Sequence, residues 1–133
     1  MATITATEIL ESGTTSSLSA CTSAGDDFRN SGVEFIRIEN QHASTSYKVK
    51  VASQSASIDH PNWGILSKLD VEKEVSAGQT AYLGPFKQRA FDDSDGSVQI
   101  TYTVTSNGAA ISTISSGVHA LKIEVLYLKQ SLY

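Results

Sequence analysis

Residues 97–104 read SVQITYTV, and this stretch decides the fold class. Its even-numbered positions are apolar or aromatic, whereas its odd-numbered positions are serine, glutamine or threonine. Side chains of a β-strand point to opposite faces with period two, so such a stretch turns one face to a core and the other to water. Residues 47–51, YKVKV, repeat the alternation. Both stretches predict strands of an antiparallel β domain.

Further strands are predicted by the same alternation along most of the chain. The predicted strands are residues 2–9, 33–40, 46–53, 70–75, 79–84, 97–105 and 119–128. No segment keeps apolar residues at i, i+3, i+4 and i+7, so at most a turn or two of helix is expected. Short strands with one apolar face each are best buried as two packed sheets or a barrel. We therefore predict an all-β fold of about seven strands, an antiparallel β-sandwich or barrel-like domain.

Two long polar segments separate these strands. Residues 10–27 are rich in Ser, Thr, Gly and Asp and contain little to bury, so they are predicted to be a loop or extended arm. Pro61 removes a ladder donor from residues 54–70, which indicates a long loop there. At 133 residues the chain fits a single domain. Within it, residues 1–27 are predicted to form a strand and arm, and residues 28–133 the sandwich.

Composition excludes several classes of function. The net charge is −4 and the ten Lys and Arg residues are scattered, which argues against nucleic-acid binding by bulk attraction. Cys21 is the single cysteine, so neither an intrachain disulfide nor a thiolate zinc site is expected. The first residues lack the pattern of a signal peptide, and no apolar run approaches the roughly 18 residues of a membrane helix. We expect a soluble protein made in a cytoplasm, without membrane partner or cofactor.

An acidic turn, residues 92–96 (DDSDG), invites a calcium hypothesis. In an EF-hand, Gly96 would be the sixth position, which places Phe91 at the first ligand and Tyr102 at the bidentate acid. Neither residue can fill those roles. A solvated hairpin turn closed by Asx hydrogen bonds is the favoured interpretation, and a calcium site of another type stays open.

Catalytic patterns are weak throughout the chain. His42, His60 and His119 are far apart and have no metal-ligand neighbour at i+2 or i+4. His60 follows Asp59, which could orient its ring, but a lone pair of this kind is no catalytic signature. A nucleophile elbow and a phosphate-binding glycine loop are both missing. We predict no catalytic residue, no metal site and no enzymatic activity.

Apolar residues in the long loop and near the C-terminus are the better candidates for a functional surface. Trp63 either anchors a partner or covers an open end of the sandwich. Residues 126–133 are apolar for a terminal segment, so they either pair within the fold as an edge strand or meet a second copy. The side chains predicted to contact a partner are Trp63, Ile65, Leu66, Leu126, Leu128, Leu132 and Tyr133.

Four pieces of the chain, in order, carry a resemblance to a known family. They are residues 28–40 (FRNSGVEFIRIEN), residues 75–86 with VSAG at one end and GPF at the other, residues 95–102 (DGSVQITY) and residues 121–126 (LKIEVL). Together they resemble small structural proteins encoded by tailed bacteriophages, cyanophages among them. The resemblance covers most of residues 28–128, although residues 54–70 and 106–118 are long for the family.

The resemblance implies a β-sandwich decoration, or cement, protein on the outer surface of the phage head. Its expected partner is the major capsid protein, its expected location is the virion, and bridging neighbouring capsomers is its expected role. Residues 10–27, the loop around Trp63 and the C-terminal tail are expected to share the capsid contacts, so deleting residues 1–27 is expected to weaken attachment and to spare the fold. A homodimer formed through the last strand is a further expectation.

Three alternative functions remain open at this point. A tail or head–tail connector subunit would form rings rather than coat a shell. A carbohydrate-binding or adhesion module would use Trp63 and nearby tyrosines as a sugar platform, although aromatic residues make up only 8% of the chain. A hydrolase would use one of the histidines.

Overall fold

The computed structural model describes residues 2–54, 58–60, 62, 64–66, 69–106, 108 and 121–128, and the side chains of all of these except 58–60 and 64–66. Twelve strands and one short helix lie in this part of the chain. The strands are β1 Ala2–Ile4, β2 Thr7–Ile9, β3 Ser19–Ala20, β4 Asp26–Arg29, β5 Glu34–Asn40, β6 Tyr47–Val51, β7 Ile58–His60, β8 Gly64–Leu66, β9 Val71–Val75, β10 Thr80–Leu83, β11 Ser97–Val104 and β12 Leu121–Leu128, and the helix is α1 Gln88–Phe91.

Two five-stranded sheets pack face to face, which confirms the predicted all-β sandwich. Sheet I has the strand order β1-β4-β11-β6-β9, and sheet II has the order β10-β5-β12-β2, with β3 also paired to β12. The inward side chains of both sheets form one core, as the period-two pattern requires. Its largest fully buried members are Phe28, Ile36, Ile38, Val49, Val51, Val75, Val98, Ile100, Leu121, Ile123 and Val125.

The N-terminal strands make both sheets mixed rather than purely antiparallel. β1 runs parallel to β4 in sheet I, and β2 runs parallel to β12 in sheet II. The chain leaves one sheet and enters the other at Thr5 and Ala6, between the two strands. The prediction of one continuous strand at residues 2–9 is therefore wrong, because its two halves lie in different layers of the sandwich.

Residues 10–27 also differ from their prediction as an arm with little to bury. Ser19 and Ala20 form β3 on β12, and the backbone N–H of Cys21 donates to the carbonyl of Leu121 at 3.0 Å. The side chains of Cys21 and Asp26 are 2% and 1% exposed. The later part of this segment belongs to the packed domain, because its backbone pairs with β12 and its side chains enter the core.

The remaining predicted strands agree with the structure to within one or two residues, apart from residues 54–70. β9 and β10 flank the turn at Ala77 and Gly78 but belong to different sheets, since β9 pairs with β6 and β10 with β5. Within the predicted long loop, β7 and β8 pair with each other as a separate two-stranded sheet. Of residues 106–118, only 106 and 108 are described.

The last strand is an interior strand of sheet II. β12 pairs with β5 from Leu121 to Tyr127 along one side, and with β3 and β2 along the other. Residues 126–128 thus pair within the fold, but not as an edge strand. Because ladders lie on both sides of β12, residues 121–128 offer no free edge for pairing with a second copy. Dimerisation through the last strand stays a prediction.

No helix in the described part of the chain is long and apolar enough to cross a membrane.

Candidate protein-interaction face

The outer face of sheet II is built from alternate residues of β5, β10, β12 and β2. Ile36 and Ile38 of β5 point into the core, so Phe35 and Arg37 point outward. The strand registers place outward residues beside one another in rows. Tyr82, Arg37 and Glu124 form one row, Phe35, Leu126 and Thr7 form the next, and Leu128 lies opposite Ile9.

Exposed apolar side chains gather at one corner of this face. Five large hydrophobic side chains are exposed in the described part of the chain, and four of them, Leu10, Val33, Tyr82 and Leu128, lie on or beside this face. Leu10 follows Ile9, the register partner of Leu128, and Val33 precedes Glu34, the register partner of Tyr127. We define the apolar corner as Leu10, Val33, Phe35, Tyr82, Leu126 and Leu128.

Three residues of the apolar corner, Tyr82, Phe35 and Leu126, lie on neighbouring strands. The ring of Tyr82 lies 6.5 Å from that of Phe35, at a tilt of 46°. Phe35 is the register partner of Leu126, which lies two residues before Leu128. Tyr82 is 65% exposed and Leu128 is 57% exposed. Clustered exposed apolar groups of this kind mark interaction sites, whereas scattered ones are ordinary surface.

A hydrogen-bonded ion pair adjoins the apolar corner. Arg37 Nη1 lies 3.6 Å from Glu124 Oε2, and it donates to Ser16 Oγ at 2.6 Å. Ser16 Oγ in turn donates to Glu124 Oε2 at 2.6 Å. Arg37 Nη2 also reaches Glu39 Oε2 at 3.4 Å. This pairing allows the Glu124 carboxylate to be buried, since an unpaired buried charge would cost several kcal/mol.

A hollow of about 210 Å³ opens between these groups. Ile9, Tyr82 and Leu126 contribute apolar walls, and Arg37 and Glu124 contribute the polar part. Its lining combines apolar walls with an aromatic ring and an arginine, residue types that are common at protein interfaces.

The predicted contact residues divide into three groups in the structure. Leu128 lies exposed in the apolar corner. Leu126 is only 8% exposed, so it forms the floor of that corner rather than a projecting contact. Ile65 and Leu66 lie in β8, but their side chains are outside the described residues, as are Trp63, Leu132 and Tyr133 altogether.

The sequence reasoning missed Leu10, Val33, Phe35 and Tyr82. For Phe35 and Tyr82, the alternation of inward and outward residues along the strand was a usable signal. Phe35 has the same parity as Arg37 and Glu39, and so belongs to the polar face of β5. Tyr82 alternates with the buried Ala81 and Leu83. An aromatic residue on the outward parity of a strand is the pattern that would have found them.

The outer face of sheet I has a different character. Lys48 lies 3.6 Å from Glu72, and Lys50 lies 3.0 Å from Asp70. The Ser53 N–H and the Lys50 ammonium hold the pKa of Asp70 below its ordinary value, and Asp70 raises the pKa of Lys50. Exposed ion pairs of this kind contribute little energy and keep a face hydrated.

The acidic turn at residues 92–96 is closed by Asx hydrogen bonds, as predicted. Asp93 Oδ1 accepts from the N–H groups of Asp95 at 2.9 Å and Ser97 at 3.0 Å, and Oδ2 accepts from Gln99 Nε2 at 2.7 Å. The Ser97 and Gln99 bonds hold the pKa of Asp93 below its ordinary value. Among the described residues, no group of three or more His, Cys, Asp or Glu side chains could hold a metal ion.

The described histidine has a role in a turn. His42 Nδ1 accepts from the N–H groups of Ser44 at 3.1 Å and Thr45 at 2.9 Å, and its ring packs edge-on against Tyr47. These contacts fix the connection between β5 and β6. The side chain of His60 and the whole of His119 lie outside the described residues.

A polar cluster is buried at one end of the core. Asp26 Oδ2 accepts from the Tyr102 hydroxyl at 2.7 Å and from the Thr22 N–H at 3.1 Å, while Oδ1 accepts from Thr22 Oγ1 at 2.8 Å. Burial raises the pKa of Cys21 to about 12, and burial likewise raises the pKa of Tyr102. The thiol is therefore protonated at neutral pH and is a poor nucleophile, so the cluster acts in packing.

Two of the residues that carry the phage resemblance, Asn30 and Asn40, join separate segments of the scaffold. Asn30 Nδ2 donates to the Phe86 carbonyl at 3.0 Å and to Asp92 Oδ1 at 2.6 Å. Asn40 Nδ2 donates to the carbonyls of Thr45 and Val75 at 2.8 and 3.0 Å. These contacts join segments that are distant in sequence, so Asn30 and Asn40 stabilise the sandwich. Other matching positions, Phe35, Arg37 and Leu126 among them, lie on the outer face of sheet II.

No family model, curated protein or solved structure matches this chain.

Proposed function

We propose that this chain is a capsid decoration protein, which binds the outer surface of a tailed-phage head and bridges neighbouring capsomers. The observation that carries the proposal is the apolar corner on the outer face of sheet II. The resemblance of residues 28–126 to phage structural proteins supplies the class of partner, the major capsid protein. In this role the protein acts by adhesion and needs no cofactor.

The energetics of the apolar corner favour a protein partner. Burying one large apolar side chain completely gains about 1.5–3 kcal/mol, so four exposed ones offer a substantial part of a binding free energy. If the same side chains stayed exposed to water, they would promote self-association. A partner bound to this face would cover them. A stable contact needs roughly 800 Å² per partner, which requires the corner and its polar rim together.

The paired charges beside the corner suit a specific contact. Arg37 and Glu124 are already bonded to each other and to Ser16, so a partner meets a fixed polar surface. A fixed surface loses little side-chain entropy on binding. When one decoration protein contacts two capsomers, each weak contact raises the effective concentration of the other, often to the millimolar range.

The decisive experiment mixes the purified chain with undecorated heads assembled from the cognate major capsid protein. Cryo-electron microscopy is expected to reveal regular added density at capsomer boundaries, with sheet II toward the shell. Leu10→Asp and Leu128→Asp are expected to weaken binding at least about tenfold, since each places a charge in an apolar contact. Thr101→Asp is the matched control, because Thr101 is exposed on the outer face of sheet I.

Three outcomes would reject the proposal or part of it. Failure of the unmodified chain to bind heads would reject the capsid role. Density confined to a ring at the portal or tail would assign the chain to the connector class instead. Equal weakening by Thr101→Asp and Leu128→Asp would retain head binding but reject the apolar corner as the contact.

A further inference from the structure

Among the described strands, β10 is an edge of sheet II. β10 pairs with β5 through Thr80 to Leu83, and no described strand lies along its other side. Backbone N–H and C=O groups on an open side remain available to another strand. The ladder with β5 determines which residues of β10 direct these groups outward.

Two residues of β10 direct their backbone groups away from sheet II. The N–H of Asn40 donates to the carbonyl of Gln79 at 2.9 Å, so Gln79 has the parity whose backbone groups face β5. Hydrogen-bonded and non-hydrogen-bonded pairs alternate along an antiparallel ladder. Ala81 and Leu83 therefore bond to β5, and Thr80 and Tyr82 present their N–H and C=O groups outward.

The edge of β10 lacks the charged side chains that protect the edge at β9. β9, an edge of sheet I, carries the exposed charged residues Glu72, Lys73 and Glu74, which resist strand addition. β10 has no charged residue, and its exposed aromatic Tyr82 belongs to the apolar corner. Because β10 is only four residues long, few of its backbone groups are open to pairing with another chain.

We propose that β10 pairs antiparallel with β10 of a second copy, across a two-fold axis at Ala81. The outward-directed residues Thr80 and Tyr82 are equidistant from Ala81, so the edge is self-complementary. Thr80 of each copy then opposes Tyr82 of the other, and the two pairs exchange four backbone hydrogen bonds. Sheet II becomes continuous through both copies, in an isologous interface.

A second copy fits this edge better than a larger partner surface does. Ala81 would lie on the axis, and its side chain is buried in the core, so it does not stand between the two strands. Contact along four residues is well below the roughly 800 Å² per partner of a stable interface, so the dimer is weak in dilute solution. Copies held side by side on a surface, at about millimolar effective concentration, would pair extensively.

This interface replaces the last strand as the site of dimerisation. It also leaves Leu10, Val33 and Leu128 uncovered, because they lie on the side of sheet II toward β12 and β2. Dimerisation and attachment to heads can therefore be measured separately. Pairing through β10 occurs without any capsid.

The register is tested with two cysteine variants, Thr80→Cys and Tyr82→Cys. Hydrogen-bonded antiparallel partners have Cα atoms about 5.5 Å apart, within the range of about 4.4–6.8 Å that a disulfide spans. A mixture of the two variants is expected to form an intermolecular disulfide faster than either variant alone. Cys21 is 2% exposed and does not compete. Equal rates in the mixture and the separate variants would overturn the register.

The edge itself is tested by Thr80→Pro in sedimentation velocity over a concentration series. Proline removes the outward N–H of Thr80 and leaves the bonds between β10 and β5, so the variant is expected to stay folded and monomeric while the unmodified chain dimerises. Ala81→Pro is the matched variant, which removes a donor facing β5 and is expected to lower the melting temperature.

Two results would overturn the proposal. One is an unmodified chain that stays monomeric up to about 1 mM, the effective concentration expected on a surface. The other is a Thr80→Pro variant that dimerises as well as the unmodified chain. If the chain is monomeric and Thr80→Pro abolishes head binding, the edge accepts a strand of the capsid protein instead. None of these outcomes depends on whether Leu128→Asp weakens head binding.

Discussion

Asp26 illustrates how a single residue can depart from a pattern that otherwise holds. It lies on the inward side of β4 with Phe28, where the period-two pattern calls for an apolar residue, and it is 1% exposed. Three hydrogen bonds from Tyr102 and Thr22 make this burial tolerable, because a buried polar group is costly only when it lacks partners. From the sequence alone, two adjacent aspartates indicate a turn, since the Tyr102 hydroxyl that Asp26 meets is 76 residues away along the chain.

Removing one of these bonds is expected to destabilise the fold. Tyr102→Phe deletes the hydroxyl that donates to Asp26 and leaves a buried carboxylate short of one donor. The free energy of unfolding in urea is expected to fall by about 1–3 kcal/mol. Tyr82→Phe is the control, because it deletes the hydroxyl of an exposed ring and should change stability by less than about 0.5 kcal/mol. Equal midpoints for both variants would contradict a structural role for the Tyr102–Asp26 bond.

Glu34 is expected to contribute to stability at neutral pH and to lose that contribution in acid. Burial raises its pKa, but bonds from Ser31 Oγ, the Ser31 N–H and the Val33 N–H outweigh burial and lower it from 4.5. Because the folded pKa is below the unfolded value, the stabilisation is complete above pH 4.5 and disappears as pH falls through the folded pKa.

Glu34→Gln tests this contribution. The unfolding free energy of the variant is expected to decrease less than that of the unmodified chain between about pH 6 and about pH 3. The unfolding free energy of the variant still depends on pH, because Asp70 and Asp93 also have lowered pKa values. Glu74→Gln, which alters an exposed carboxylate, is the control. Parallel pH profiles for Glu34→Gln and the unmodified chain would show that the Ser31 bonds do not favour the charged form.

At the scale of elements, alternation alone located the strands that lie inside the sheets. β5, β6, β11 and β12 were predictable to within a residue or two, because every second residue is buried over most of each strand. β1 to β3 were not, because they are two or three residues long and are stabilised by pairing with β4 and β12, far away in sequence. The order of the described strands, and hence the edge position of β10 among them, likewise follows from long-range pairing.

The link between β3 and β4 depends on a close approach to β11. Gly25 has φ +95°, and a Cβ atom there would lie 2.6 Å from the carbonyl oxygen of Ile100. Gly25→Ala is expected to lower the free energy of unfolding by about 3 kcal/mol or more. The strain of a positive φ and the clash of the new Cβ atom with the Ile100 carbonyl add to each other. Gly78→Ala is the matched variant, with φ +74° and open space, and should cost only about 1 kcal/mol. Thermal unfolding of both variants measures the difference, and similar losses would exclude the clash.

At the scale of the whole molecule, the sandwich has two unlike outer faces. Sheet I presents lysines paired with acidic residues, whereas sheet II presents the apolar corner and the Arg37–Glu124 pair. Leu128 could be chosen from sequence as a contact, because it lies at the end of a strand whose other residues are mostly buried. Its neighbours Leu10 and Val33 could not, because only the registers of β2 and β5 against β12 bring them to it.

The strongest global test concerns residues 2–27, which contribute to both sheets. Deleting them removes β1, β2 and β3, takes Asp26 from the core, and uncovers one side of β12. We expect this variant to lose cooperative thermal unfolding and the dispersed amide spectrum of a folded domain. Deleting only residues 2–4 removes the edge strand β1, so that variant should fold with a lower melting temperature. If the longer deletion melts like the unmodified chain, residues 2–27 are a dispensable arm, and the buried contacts of Cys21 and Asp26 contribute nothing to stability.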